Sequence, residues 1–259
     1  MQICVLGSGS SGNCTYIGTA KTRILLDLGF GKRSLRRRFE AASLSPDKVQ
    51  ALILTHGHSD HVAGAADFSK KRGIPIFMNK GTREEVPKLQ KLDRWECFEV
   101  GQSFSIGNIQ IHPFDVNHDA AQPVAFRFSS GGVSGAAVTD LGELTAPVMQ
   151  QLRGCDWLIL ESNHDEEMLK VGGYPWFLKQ RLLGKKGHLS NQAISRFLTL
   201  DFDGSATHLF LAHLSRNNNL PQLAAEAASA ALHNRGKGDH RSPQVHLTHQ
   251  HKPTIVLEL

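Results

Sequence analysis

Residues 51–61 (ALILTHGHSDH) most constrain what this chain can fold into. A short continuous apolar run predicts a buried strand, and it ends in three histidines and one aspartate within six residues. Burying four such side chains together is unfavourable without a cation, and imidazole with carboxylate suits zinc, manganese or iron. On extended backbone His56 and His58 point to the same side, while Asp60 and His61 follow around a turn towards a second position. The segment therefore predicts a metal site.

The composition indicates a cytoplasmic protein with a modest preference for polyanions. No apolar run is long enough for a membrane span. The first residues predict a strand and do not show the pattern of a signal peptide. The four cysteines are scattered, which favours free buried thiols over disulfides or a zinc site. The formal charge is +5, which favours nucleic acid as a partner without proving it. Each basic cluster alone is more simply a solvated surface; the clusters lie at residues 32–38, 185–186 and 235–241.

Hydrophobic periodicity and turn residues predict one α+β domain over residues 1–259. The glycines of residues 7–12 match a dinucleotide fingerprint, but a β-prone segment follows them, so a hairpin is the better interpretation. A meander is predicted from 98–100, 103–106 and 109–116. The other predicted strands are 3–6, 14–17, 23–29, 51–54, 75–78, 124–128, 134–139, 156–161, 209–212, 245–248 and 254–259. The predicted helices are 34–42, 62–72, 82–92, 190–200 and 221–233.

Polar side chains gather where several of these strands end. His118 follows the meander, Asp140 follows an apolar strand, and His213 follows another. A cap for the next helix is a weaker interpretation of Asp140, because Thr145 fits that position better. Strands that deliver histidine or aspartate at one end predict a single rim where these side chains converge.

Residues 172–192 form a distinctive segment before the last of these strands. Ser190 is a good N-cap for the helix over 190–200, and Lys185, Lys186 and His188 precede it. A helix N-terminus with these neighbours is able to hold a phosphate. An ordinary capped surface helix explains the same residues equally well.

The motif His-x-His-x-Asp-His after a hydrophobic strand resembles the signature of the metallo-β-lactamase-fold hydrolases. The resemblance implies a four-layer αβ/βα sandwich and a dinuclear site with two divalent ions, zinc, manganese or iron. On this basis His56, His58 and His118 hold one metal, Asp60, His61 and His213 hold the other, and Asp140 bridges them. These seven ligands leave room for a bridging hydroxide that attacks phosphorus.

Four further segments resemble the bacterial YycJ/WalJ group of this superfamily. They are residues 6–13, 161–165, 187–191 and 213–218. The resemblance implies a 5′-to-3′ exonuclease on DNA, with Asp60 and His188 as catalytic residues. It also implies substrate binding by His164, His188, Ser190 and Asn191, with His164 or His188 protonating the leaving oxygen.

Two alternatives remain open at this point. The same metals would serve a small phosphodiester, another small ester or a lactone, because the fold alone does not name the substrate. A nucleic-acid-binding or regulatory protein with an idle site is the other alternative, and every expected ligand being present argues against it.

Overall fold

The computed structural model describes residues 1–235 and 242–259. Lys237, His240 and Arg241 of the third basic cluster lie outside this range. The chain divides into two compact units. Unit 1 comprises Met1–Asp115, Ala120–Val133 and His249–Leu259, and unit 2 comprises Val116–Asp119 and Ser134–Thr248. The single-domain organisation of residues 1–259 stays a prediction.

The described strands follow the predicted order closely. They are β1 (Gln2–Gly7), β2 (Cys14–Gly18), β3 (Arg23–Leu26), β4 (Ala51–Ile53), β5 (Ile76–Met78), β6 (Trp95–Cys97), β7 (Phe104–Ile106), β8 (Ile109–Asp115), β9 (Val124–Ser130), β10 (Val133–Val138), β11 (Trp157–Glu161), β12 (His208–Ala212), β13 (Gln244–Leu247) and β14 (Leu257–Glu258).

The described helices are mostly short. They are α1 (Lys32–Ala41), α2 (Ser59–Val62), α3 (Ala65–Arg72), α4 (Lys80–Glu85), α5 (Pro87–Gln90), α6 (Ala146–Leu152), α7 (Glu166–Val171), α8 (Trp176–Leu183), α9 (Asn191–Leu200) and α10 (Pro221–Asn234), with a 3₁₀ turn at Pro46–Lys48. Within residues 1–235 and 242–259, no helix combines the length and apolar character that a membrane span requires.

Unit 1 is built on a seven-stranded sheet in the order β14-β1-β2-β3-β4-β5-β6. The strands β1 to β3 pair antiparallel, as the hairpin interpretation of the glycine-rich loop predicts, and β3 to β6 pair parallel. Helix α1 buries Leu35 and Phe39 in the core of this unit. The strands β7, β8 and β9 form an antiparallel set. Because β3 and β4 are parallel neighbours, their carboxyl ends lie side by side.

Unit 2 contains the parallel strands β10, β11, β12 and β13. Strand β11 is buried at every position, and β12 at every position after His208, which is typical of strands covered on both faces. Helix α9 buries Ile194, Phe197 and Leu198, and its N-cap is Ser190, as predicted. Because the strands are parallel, their carboxyl ends meet along one edge, where the functional side chains of this unit lie.

Three predicted elements are wrong in detail. The helix over 82–92 is interrupted, because Pro87 forces the preceding Val86 into extended backbone and begins a new helix, α5. The helix over 62–72 begins earlier, at Ser59, and breaks near Gly64 between α2 and α3. The strand predicted at 98–100 lies a few residues earlier in the structure. It is β6, which ends at Cys97 and pairs parallel with β5 instead of joining an antiparallel meander. Phe98 is buried there without belonging to a strand, since an apolar pattern reports burial and not pairing.

The cysteines agree with the prediction of free thiols. Cys4 and Cys14 are buried and free, Cys97 is free and exposed, and Cys155 is buried. Burial raises the pKa of the Cys4 thiol to about 11 and that of Cys14 well above its usual range. The Cys4 and Cys14 thiols are therefore packed, protonated side chains, and not metal-binding thiolates.

Candidate metal centre

In unit 1 the four predicted ligands follow strand β4 on one tight loop and the short helix α2. His58 is the residue that precedes α2, and Asp60 and His61 lie in its single turn. The ring of His56 lies 4.6 Å from that of His58 and 4.2 Å from that of His61, measured between centroids. His56 and His61 are buried. The structure thus brings together the donor groups that this segment predicted.

A buried aspartate fixes the orientation of His61. Asp27 Oδ2 lies 2.8 Å from His61 Nδ1, and Asp27 Oδ1 accepts a hydrogen bond of 2.9 Å from the backbone N–H of Thr55. Since the carboxylate only accepts, Nδ1 carries the proton, and the lone pair of His61 is on Nε2. A metal-binding histidine is commonly oriented by a carboxylate in this way. Asp27, which the sequence did not predict for the site, thus orients one of the predicted ligands.

The backbone around Asp60 is held by close packing with residues 13 and 27–29. The N–H of Asn13 donates to the carbonyl oxygen of Asp60 at 2.8 Å, and the N–H of Leu28 donates to that of His61 at 2.8 Å. A methyl group on Gly29 would overlap the carbonyl oxygen of Asp60. Only glycine therefore fits beside the turn that presents Asp60 and His61.

In unit 2 a second cluster of donors lies at the carboxyl ends of the parallel strands. Asp140, Glu161, His188 and His213 each offer one ligand atom, and these atoms lie within 4.8 Å of one another. Asp140 and His213 follow β10 and β12 in the left-handed region, with φ of 58° and 55°. Such backbone is uncommon for residues other than glycine, and it often occurs at functional sites. These two conformations turn the side chains towards the cluster.

Glu161, at the end of β11, organises this cluster. Its Oε1 lies 2.8 Å from Nδ1 of both His188 and His213, and its Oε2 accepts from the backbone N–H groups of Leu141 at 3.1 Å and Leu189 at 3.2 Å. The acceptor carboxylate places a proton on Nδ1 of each imidazole. Glu161 is the second orienting carboxylate that the sequence did not predict.

The charges of this cluster stabilise one another. Burial would raise the pKa of Glu161, but its histidine partners, above all His188, hold that pKa at about 2. Burial likewise would lower the pKa of His188, but the charge and hydrogen bond of Glu161 outweigh burial and raise it. His188 consequently keeps a proton to higher pH than a free histidine does.

His118 lies in the short segment of unit 2 that precedes β9. The carbonyl oxygen of Gly187 is 3.3 Å from His118 Nδ1, which assigns the proton to that nitrogen. The Nε2 atom lies 4.0 Å from Asp140 Oδ1. Burial lowers the pKa of His118 and favours the neutral imidazole that a metal requires. His118 is thus positioned beside the cluster built on Glu161.

The predicted substrate-binding residues differ in their surroundings. His164 is buried, and neither of its ring nitrogens has a hydrogen-bond partner among the described residues. Ser190 Oγ donates to Glu166 at 2.9 Å and accepts from the N–H of Ala193. Asn191 bonds to Ser162 and Asn219 within the protein. The hydrogen bonds of Ser190 and Asn191 are structural, and substrate binding by these residues stays a prediction.

Both units offer donor sets that suit a divalent metal ion. Each combines imidazoles with carboxylates, and a carboxylate on Nδ1 places the lone pair of His61 and of His213 on Nε2. In this structure the Nε2 atom of His61 lies 3.0 Å from the side-chain amide nitrogen of Asn13. The chemistry of the residues therefore fits metal binding.

Comparison with known proteins places this architecture in a family. Residues 22–214 match the family described as the β-lactamase superfamily domain. YhfI of Bacillus subtilis, a metallo-β-lactamase-fold protein, superimposes with a TM-score of 0.72 at 17% identity over 98% of both chains. Zn²⁺-bound PqqB of Methylobacterium extorquens gives a TM-score of 0.68 at 15% identity over 100% of both chains. The chain belongs to the β-lactamase superfamily and has the predicted α+β metallo-β-lactamase fold.

A curated relative narrows the comparison. The chain is 33% identical over 259 residues to the exodeoxyribonuclease YycJ of Bacillus anthracis, covering 99% of this chain and 98% of the relative. The predicted resemblance to the YycJ/WalJ group is confirmed, and so is the assignment of the chain as a metal-dependent hydrolase.

Proposed function

We propose that this protein is a metal-dependent exonuclease that degrades DNA from 5′ to 3′ with two divalent cations, zinc or manganese. The observation that carries the proposal is the 33% identity to an exodeoxyribonuclease along nearly the whole of both chains. The net charge of +5 is compatible with a polyanionic substrate. A cytoplasmic location, where chromosomal DNA is accessible, is part of the proposal.

We further propose that seven side chains bind the two ions. The proposed ligands are His56, His58, Asp60 and His61 from unit 1, and His118, Asp140 and His213 from unit 2. The ions would supply an activated water and neutralise charge at the scissile phosphate. The oriented Nε2 atoms of His61 and His213 support this role, because a histidine held by a carboxylate pays less entropy on binding.

The remaining steps belong to residues of the chain. Asp60 and His188 are the proposed catalytic residues, and His164 and His188 are the proposed contacts to the substrate phosphate. Because Glu161 raises the pKa of His188, the imidazole retains a proton that it can donate to the leaving oxygen. The two unpartnered nitrogens of buried His164 are compatible with a contact to a phosphate oxygen.

The proposal is tested with duplex and single-stranded DNA labelled at the 5′ or the 3′ end. Protein stripped of metal and reloaded with manganese or zinc is compared with Asp140→Ala and with Asp201→Ala, a matched change at an exposed aspartate of unit 2. We expect short products from the 5′ end with wild type and Asp201→Ala, and none with Asp140→Ala. Circular dichroism establishes that each variant is folded.

Two outcomes would contradict the proposal. Release of short products from the 3′ end alone would show digestion in the direction opposite to the one proposed. Intact DNA together with turnover of bis-p-nitrophenyl phosphate would instead favour the small-phosphodiester hydrolase.

A further inference from the structure

Two aromatic side chains at the start of helix α8 are exposed to solvent. Trp176 is 65% exposed and Phe177 is 72% exposed, and Val171 nearby in the sequence is 84% exposed. Large apolar side chains are seldom grouped on the surface unless that surface binds something. The two aromatic residues lie in the distinctive segment 172–192, of which the proposed chemistry uses only His188, near its end.

Helix α8 is firmly attached within unit 2. The Lys179 side chain is buried, and its Nζ donates a hydrogen bond of 2.6 Å to the carbonyl oxygen of Lys170 in α7. The Tyr174 hydroxyl accepts a hydrogen bond of 3.0 Å from Asn217 Nδ2. The exposed aromatic rings therefore belong to an ordered helix and not to a loop tip. A fixed helix presents flat rings at low entropic cost to a ligand.

The same helix is joined to the loops that carry two residues of the proposed site. Arg181 Nε donates to Asp119 Oδ2 at 2.7 Å, and Asp119 directly follows His118. The backbone N–H of His188 donates to the carbonyl oxygen of Leu182 at 3.0 Å. A methyl group on Gly187 would overlap that same carbonyl oxygen, so this junction is tightly packed. Within unit 2, the helix that carries the aromatic pair therefore contacts the segments that carry His118 and His188.

Exposed cations accompany the aromatic pair along this segment. Lys185 and Lys186 are exposed, and they lie between the aromatic residues and His188 in the chain. Lys185 Nζ also lies 3.6 Å from Glu143 Oε2, which is a weak ion pair at an exposed position. Flat rings with adjacent cations are the combination that binds single-stranded nucleic acid, since rings stack on bases and cations contact phosphates. An interface with a second copy of this chain would be served by apolar area alone, whereas the cations favour a polyanion.

We propose that Trp176 and Phe177 form a stacking platform for the bases of single-stranded DNA, with Lys185 and Lys186 contacting its phosphates. The inference rests on the proposed nuclease function and adds to it the form of the substrate. The platform contacts bases and leaves the chemistry at phosphorus unchanged. It therefore acts on DNA affinity and has no effect on small phosphodiesters.

The test compares metal-loaded wild type with Trp176→Leu, Trp176→Phe and the control Leu200→Ala. Leu200 is another exposed apolar residue of unit 2. The probes are a fluorescent oligothymidylate and an abasic oligonucleotide with equal phosphate number, with affinity measured by fluorescence anisotropy. We expect Trp176→Leu to weaken oligothymidylate binding about 5- to 150-fold, which corresponds to one lost stacking contact. Trp176→Phe retains a ring and should retain most of the affinity.

The abasic probe isolates the stacking contribution. Wild type should bind it more weakly than oligothymidylate, and Trp176→Leu, which keeps only the ring of Phe177, should show a smaller difference between the two probes. Leu200→Ala should match wild type on each. Hydrolysis of bis-p-nitrophenyl phosphate should be equal for wild type and Trp176→Leu.

The outcomes separate the two proposals. Wild type that neither binds nor cuts DNA refutes the nuclease function, and the platform with it. Wild type that cuts DNA, with Trp176→Leu equal to it on both probes, overturns the platform alone. A dimer of wild type that Trp176→Leu converts to monomer in sedimentation, with unchanged DNA affinity, assigns the surface to a second copy of the chain and also overturns it.

Discussion

Replacing Glu161 with glutamine tests whether this carboxylate organises the donor cluster of unit 2. The carboxylate accepts four hydrogen bonds, two from histidine Nδ1 atoms on Oε1 and two from backbone N–H groups on Oε2. An amide of the same shape has one acceptor oxygen and one NH₂ donor. If its oxygen faces the histidines, the NH₂ opposes two backbone donors. In the reverse orientation, the NH₂ pushes the imidazole protons onto Nε2 and removes the metal-binding lone pairs.

The magnitude follows from the pKa of Glu161. Its pKa of about 2, against 4.5 for an ordinary glutamate, corresponds to about 3 kcal/mol of stabilisation of the charged form. A carboxyl pKa that is lower in the folded state stabilises the protein above the unfolded-state pKa, and this contribution is lost as the pH falls towards the folded-state value. We therefore expect Glu161→Gln to lower the free energy of unfolding by about 3 kcal/mol at pH 7. The difference should shrink as the pH decreases below about 4.5.

The assay is urea unfolding of metal-free protein from pH 7 to pH 3.5. Glu226→Gln, at an exposed position of α10, is the matched control and should change stability by less than about 0.5 kcal/mol. A second readout is manganese or zinc affinity, which should fall about 10- to 100-fold in Glu161→Gln. Equal stability of Glu161→Gln and wild type at pH 7, or a difference independent of pH, would refute the reasoning.

Two further predictions concern unit 1. Asp27→Asn keeps a residue type that accepts left-handed backbone but loses the carboxylate on His61, so metal affinity measured by calorimetric titration should fall about 10- to 100-fold. Affinity equal to wild type would contradict the orienting role of Asp27. Gly29→Ala would drive a methyl group into the carbonyl of Asp60, and thermal unfolding should show a loss of about 1–3 kcal/mol. Gly31→Ala is the control, since no atom lies within 4 Å of the added methyl; equal stability of the two variants would contradict the packing argument.

The sequence predicted the order of strands and most of the donor residues, because both depend on local patterns. Apolar runs report burial, and the carboxyl ends of parallel strands share an edge. His56, Asp140 and His213 all stand directly after such runs. The interruption of the helix before Pro87 also follows from the sequence, since proline restricts the backbone of the residue before it.

The orienting carboxylates were not predicted, although Asp27 and Glu161 each end an apolar strand. Their partners are distant in the chain, since Asp27 contacts His61 and Glu161 contacts His188 and His213. A pattern within one segment contains no information about such partners. The exposure of Trp176 and Phe177 was equally inaccessible, because aromatic residues in a sequence indicate a core position more often than a surface.

The left-handed backbone at Asp27, Asp140 and His213 limits which amino acids can replace these three residues. Aspartate, asparagine, histidine and glycine accept such backbone, whereas β-branched residues do so at a high energetic cost. The residues suited to metal chemistry and those suited to the local conformation are thus nearly the same set. A descendant that abandons catalysis would retain asparagine or glycine at these positions more readily than valine or isoleucine. Loss of activity would then leave the backbone of the strand ends in place, ready to present a different side chain.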